Sequence, residues 1–134
     1  MNLASLRLVL MVAVGGALGS VGRYVVTLAV QTRAGAGFPA GTLVVNVSGA
    51  FLLGLIMRYA VQSFAITPEM RLLLPTGLCG GYTTFSTFSY ETARMTEDGE
   101  WRTALLYVLL SVVLSLTAMF LGFRAAQWVR GAWS

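Results

Sequence analysis

Thr83, Thr84, Ser86, Thr87 and Ser89 follow one another within TGLCGGYTTFSTFS (Thr76–Ser89), inside an apolar stretch long enough to cross a membrane. Hydroxyls donate hydrogen bonds without carrying charge, and a row of them suits an anion that must exchange its water for other donors. Phe85 and Phe88 sit three apart in the same run and share one helical face. Their ring edges are electropositive, so they can add C–H contacts to an anion. Weak, neutral contacts also let the ion leave again, as conduction requires. A small, hard, strongly hydrated anion gains most from many short hydrogen bonds. A larger halide fits a narrow track poorly.

Gly80 and Gly81 stand just upstream. Glycine costs about 1 kcal/mol of helix propensity relative to alanine, so the pair predicts a break. A break at membrane depth is tolerable only inside protein or beside a wet cavity, and in transporters such breaks are where ions bind. Carbonyls freed there favour a hard monovalent cation. On a two-fold axis, two copies of the break could surround one such ion.

Two more faces extend the polar set. Thr42, Asn46 and Gly49 fall at i, i+4 and i+7. A buried amide left bare costs roughly 1–3 kcal/mol, so Asn46 is either interhelical glue or a donor facing a pore, and the spacing leaves both open. Thr103, Tyr107, Ser111 and Ser115 recur every four residues. That register favours a polar track over serines bonding back to their own carbonyls. Glu91 reads as an interfacial charge close to Arg94. Arg23 lies well before the first polar loop and must either snorkel outward or face a wet vestibule.

The elements that carry these groups are membrane helices. The chain is 57% hydrophobic and 10% charged, against about 25% charged in a soluble domain. The reading is an all-α integral membrane protein of one domain, with spans near 8–30, 40–64, 70–94 and 101–128 and a break in the third. Gly15, Gly19 and Gly22 give the first span a bare face for close packing. Pro68 suits the start of the third span, Pro75 strains it further, and Trp101 and Trp128 suit the two membrane interfaces. No histidine and one cysteine, Cys79, leave no nucleophile with a base and no multi-cysteine metal site. Cys79 reads as a small packing residue. An enzyme is excluded on these grounds, and scattered arginines give no nucleic-acid footprint.

Four spans place Arg7, Arg58, Arg71, Arg124 and Arg130 on one side and Arg23, Arg33, Arg94 and Arg102 on the other. Positive residues normally mark the cytoplasmic side, and so even a division gives insertion almost no instruction. Dual topology follows, with opposite copies pairing about a two-fold axis in the membrane plane.

At this point the sequence resembles the Fluc (CrcB) fluoride channel family over essentially the whole chain. GLCGGYTTFSTFS (Gly77–Ser89) carries the resemblance, supported by GTLVVNVSGAF (Gly41–Phe51) and GGALGSVGRY (Gly15–Tyr24). The resemblance implies a passive, highly selective fluoride exporter of the bacterial inner membrane that relieves fluoride toxicity. It implies an antiparallel dual-topology homodimer with two fluoride pathways and a central structural sodium ion. Phe85 and Phe88 match the family's fluoride-contacting phenylalanines, Asn46 its pore asparagine, and Tyr107, Ser111 and Ser115 its polar track. Thr42, Ser86 and Thr87 fall beside them. Arg23 and Glu91 match charged family positions late in the first and third helices. Gly80 and Thr83 match the residues whose carbonyls hold sodium. The alternatives are a small dual-topology drug/proton exchanger, which needs a carboxylate deep in the first helix that this chain lacks, and a non-transporting helical scaffold.

Overall fold

The computed structural model describes residues 2–62 and 67–131, with the side chains of 61, 62, 130 and 131 excepted. The turn expected at Ala65–Glu69 and the last residues of the second span fall partly outside them. Helix α1 (Leu3–Ala34) is capped by the Asn2 side chain, which accepts from the Ser5 amide, and stops at Gly35 with φ 80°. At 1.5 Å per residue it is far longer than a ~30 Å hydrocarbon core, so it tilts or protrudes. Helix α2 (Ala40–Gln62) returns, and α6 (Trp101–Gly131) closes the chain. These three are long and apolar enough to cross a membrane.

The third span is assembled from pieces. Helix α3 (Pro68–Arg71) starts at Thr67, whose side chain accepts from the Met70 amide. A π-helical segment, Leu72–Cys79, follows and contains Pro75. Its wide turn brings the Gly80 N–H onto the Pro75 carbonyl, five residues back. A short α4 (Gly80–Tyr82) continues it. Thr83 and Thr84 are extended, and α5 (Phe85–Glu97) then begins.

The break therefore lies at Thr83–Thr84, three residues past the glycine pair that predicted it. Gly80 and Gly81 are helical, and Gly81 has a different task. A Cβ there would stand 2.5 Å from the Gly16 carbonyl oxygen. On the facing helix, a Cβ on Gly15 or Gly19 would collide with the carbonyl of Leu73 or Leu78. One on Gly77 would stand 2.9 Å from Gly15 Cα. The small residues of α1 and of the third span thus meet backbone to backbone, which is how membrane helices gain dispersion contact without a hydrophobic drive between them. Gly22 is looser, with only the Tyr82 ring near it, at 3.6 Å.

Helices α2 and α6 pack equally closely. A Cβ on Gly54 would come within 2.5 Å of the Met119 carbonyl, and one on Gly122 would overlap that of Phe51. Val45 and Tyr107 are fully buried at the centre, and Cys79 is buried as a packing residue. The outward faces of α1 and α6, including Val21, Val25, Leu105, Leu109 and Leu116, stay exposed as a surface for lipid or another helix. Trp101 and Trp128 are exposed at opposite ends of α6.

Candidate functional site

The break is fixed by one side chain. Asn46 on α2 donates from Nδ2 to the Thr84 carbonyl at 3.1 Å and accepts the Thr84 N–H on Oδ1 at 2.8 Å. This amide therefore mimics a β-bridge and holds Thr84 extended. The Thr84 hydroxyl caps α5 by accepting the Thr87 N–H at 3.2 Å, as a threonine at a helix start should. It also lies 3.2 Å from Ser86 Oγ and 3.0 Å from Thr87 Oγ1. Of the two roles open for Asn46, bonding between helices is the one its oxygen and one amide hydrogen perform. A second amide hydrogen remains for other work.

Beneath the break a groove of about 420 Å³ runs along α2, α5 and α6. Asn46, Thr84, Phe85, Phe88, Ser111 and Ser115 all line it. The Ser111 hydroxyl is buried and has no hydrogen-bond partner among the described residues. A buried donor left bare costs about 1–3 kcal/mol, so this position is built for something else to accept its proton. Phe85 is 79% exposed, and its ring stands 5.6 Å from that of Phe88. The Phe88 ring stands 5.2 Å from that of Tyr107. The hydroxyl stripe of α6 divides here: Ser111 and Ser115 face the groove, whereas Tyr107 turns to another partner.

That partner is Glu91, for which the sequence offered an interfacial charge and a charged position of the ion pathway. Glu91 points inward and receives two donors, Tyr107 Oη at 2.7 Å and Thr42 Oγ1 at 2.8 Å. Arg94 points away and reaches Asp98 at 3.9 Å. The signal for this cluster was present as two separate stripes, Thr42 on α2 and Tyr107 on α6. Nothing in either spacing tells that both stripes converge on one carboxylate.

Arg23 does not snorkel. It is half-buried, and its Nη1 lies 3.5 Å from the Thr83 carbonyl. With Ser20, Thr42, Thr84, Thr87 and Glu91 it lines a polar cleft of about 300 Å³. The geometry thus places Arg23 on a cleft within the fold and not on its outer surface. Glu91 also lines a second, outer cavity of about 390 Å³ with Gln31, Phe38 and Arg94. Thr42, Thr87, Arg23 and Glu91 thus gather at the vestibule, and Asn46, Phe85, Phe88, Ser111 and Ser115 at the groove. Ser86 joins neither lining and rests against the Thr84 cap.

A cation site must be judged on oxygens. The amide four residues after Gly80 belongs to Thr84 and is taken by Asn46, so the Gly80 carbonyl gives up its usual helical donor. Gly80 is exposed, with nothing closer to its missing side chain than the Pro75 carbonyl at 3.9 Å. Thr83, extended, also holds its carbonyl outside the helical ladder, where Arg23 Nη1 reaches it at 3.5 Å. Neutral oxygens of this kind fit a hard monovalent cation. Among the described residues no cluster of acidic, cysteine or histidine side chains could hold a metal instead.

Residues 10–123 match the family model described as CrcB-like protein, Camphor Resistance (CrcB). A protein of Geobacter sulfurreducens named fluoride-specific ion channel FluC is 51% identical over 119 residues, 89% of this chain and 96% of the relative. Its namesake in Geobacter metallireducens is 50% identical over 116 residues, 87% of this chain and 94% of that one. A third of the same name, from Rhizobium meliloti, is 48% identical over 114 residues, covering 85% and 91%.

Proposed function

Since the chain belongs to the CrcB-like family, we propose that it is a fluoride channel of the bacterial inner membrane, with ion passage and not catalysis as its activity. The observation that carries this reading is the unpartnered Ser111 hydroxyl, buried in a groove shared with Asn46, Ser115 and the edges of Phe85 and Phe88. Every one of these groups is uncharged. A fluoride ion moving along them exchanges water for O–H, N–H and C–H donors in turn. No step along the groove traps it beside a fixed positive charge. Chloride is larger and accepts weaker hydrogen bonds, so the same donors return less of its hydration. Arg23, at the vestibule, raises the local anion concentration before entry.

The groove is open along one side, and Phe85 is exposed there at membrane depth. Two copies in opposite orientation would close it and generate two pathways per dimer. The same pairing would bring the carbonyls of Gly80 and Thr83, the latter also accepting from Arg23, toward their symmetry mates. A sodium ion held there would supply positive charge that joins the two breaks. The residues of this chain hold the oxygens in place through the bond from Thr84 to Asn46. Passive export of this kind lowers cellular fluoride whenever the inside exceeds the outside.

The deciding measurement loads liposomes bearing the purified protein with potassium fluoride or potassium chloride and follows anion efflux. Fast fluoride release with chloride retained supports the channel. Equal release of both halides, or retention of both as a helical scaffold would give, sinks it.

A further inference from the structure

Phe38 lies in the short connection between α1 and α2, among residues with little reason to be ordered. Its neighbours from Arg33 to Gly37 are all exposed, yet Phe38 is half-buried. Its ring meets the Tyr107 ring edge-on, with centroids 5.5 Å apart and planes at 87°. Tyr107 in turn touches Phe88, and Phe88 touches Phe85. Four aromatic rings therefore form one unbroken row, from the open groove to the cavity at the outer mouth, and Phe38 is its last member.

The loop holds this ring by unusual means. Gln31, on the last turn of α1, donates from Nε2 to the carbonyl of Gly35 and to that of Phe38, the latter at 2.9 Å. Its Oε1 accepts the Gly41 N–H at 3.1 Å. One side chain thus bonds the start of the loop, its middle and the first turn of α2. The Phe38 carbonyl also accepts the Ala40 N–H at 2.8 Å. Pro39 restricts the backbone of the residue before it to extended conformations. A loop whose only task was to connect two helices would not need its one aromatic residue fixed so firmly.

The location gives the fixing a purpose. Gln31, Phe38 and Glu91 line the same outer cavity, and Tyr107, fully buried, donates to Glu91 just behind the Phe38 ring. Removing Phe38 would open the ring of Tyr107 to that cavity, which Glu91 already lines. We propose that Phe38, clamped by Gln31, is a positioning residue of the ion pathway: it seals the outer side of Tyr107 and fixes where the Tyr107 hydroxyl and Glu91 stand. The inference rests on the fluoride reading for its transport consequence, but its geometric content is independent of that reading.

Both parts can be tested on the full-length protein in liposomes loaded with potassium fluoride. Phe38→Ala lowers fluoride efflux about five- to tenfold, the scale of one aromatic contact expressed as a rate. Phe38→Tyr restores most of it, and Phe38→Leu, which keeps bulk without the ring, does not. Gln31→Ala gives a similar loss, and combining it with Phe38→Ala adds nothing, because both act through one ring. Wild-type efflux in Phe38→Ala, or losses that multiply in the double variant, would overturn the proposal. A second arm labels the tyrosines with 3-fluorotyrosine and assigns position 107 through Tyr107→Phe. In Phe38→Ala and Gln31→Ala the fluorine resonance of Tyr107 shifts and broadens with a soluble gadolinium chelate. A resonance that stays unshifted and shielded in both variants overturns the seal. Should the unmodified protein pass no fluoride at all, the channel reading fails, and the spectroscopic arm alone decides whether Phe38 seals Tyr107.

Discussion

The two halves of the third span are built for opposite purposes. Before Thr83 the chain winds as a π segment and a short α-helix, buries Gly77 and Cys79, and touches α1 backbone to backbone. After Thr84 it is an amphipathic α5 whose Phe85, Ser86, Thr87 and Ser89 are exposed. The first half removes side chains so that helices can close. The second supplies side chains so that something mobile can pass. Between them stand two extended residues and the Asn46 amide. A membrane helix thus separates rigidity from access by changing its composition at a break.

That contrast predicts an ordered series of effects. Gly19→Val puts branched carbons into the Leu78 carbonyl and has no flexible neighbour to displace. Overpacking commonly costs about 1–3 kcal/mol and more against backbone. The expected result is loss of folded protein, read as absent monodisperse material after extraction. Recovery of a folded, active variant would mean that the first half is not rigid.

Next in size is Asn46→Asp, which replaces the Nδ2–H donor with an oxygen facing the Thr84 carbonyl and adds negative charge to the groove. Fluoride efflux should fall about a hundredfold, equivalent to about 2.7 kcal/mol of barrier. Unchanged efflux would detach the break from the pathway. Ser111→Ala removes a hydroxyl that has no hydrogen-bond partner among the described residues. Stability should hold or rise, by up to about 1–3 kcal/mol as a bare buried hydroxyl is removed, while efflux falls several-fold. A loss of melting temperature with no change in efflux would reverse the assignment. The smallest effect belongs to Gly22→Ala. It adds a methyl at ordinary contact distance from the Tyr82 ring, and neither extraction nor efflux should change. A large loss there would extend the backbone contact one turn further than the geometry places it.

Much of this was readable in the chain. The spans, the bare face at Gly15 and Gly19, and the polar stripe through Ser111 and Ser115 follow from periodicity, which is a property of a single helix. The position of the break did not follow, because glycine propensity is local and the decisive contact is not. Asn46 acts on Thr84 from another helix, 38 residues away. Thr84 itself left only the weak trace of a threonine that can cap a helix start. The partners of Glu91 were hidden for a related reason. Near the end of a span a carboxylate looks interfacial, and only the convergence of Thr42 and Tyr107 turns it inward. Gln31 and Phe38 left no pattern at all, since loop geometry has no period.

Where Gly15 and Gly77 meet, no side chain lies between two main chains. Most neighbours in a protein can drift in concert, one shrinking as the other grows. Glycine has nothing to surrender, so neither position can compensate for the other. The seam between these helices is therefore a place where a single added carbon must push one backbone off the other.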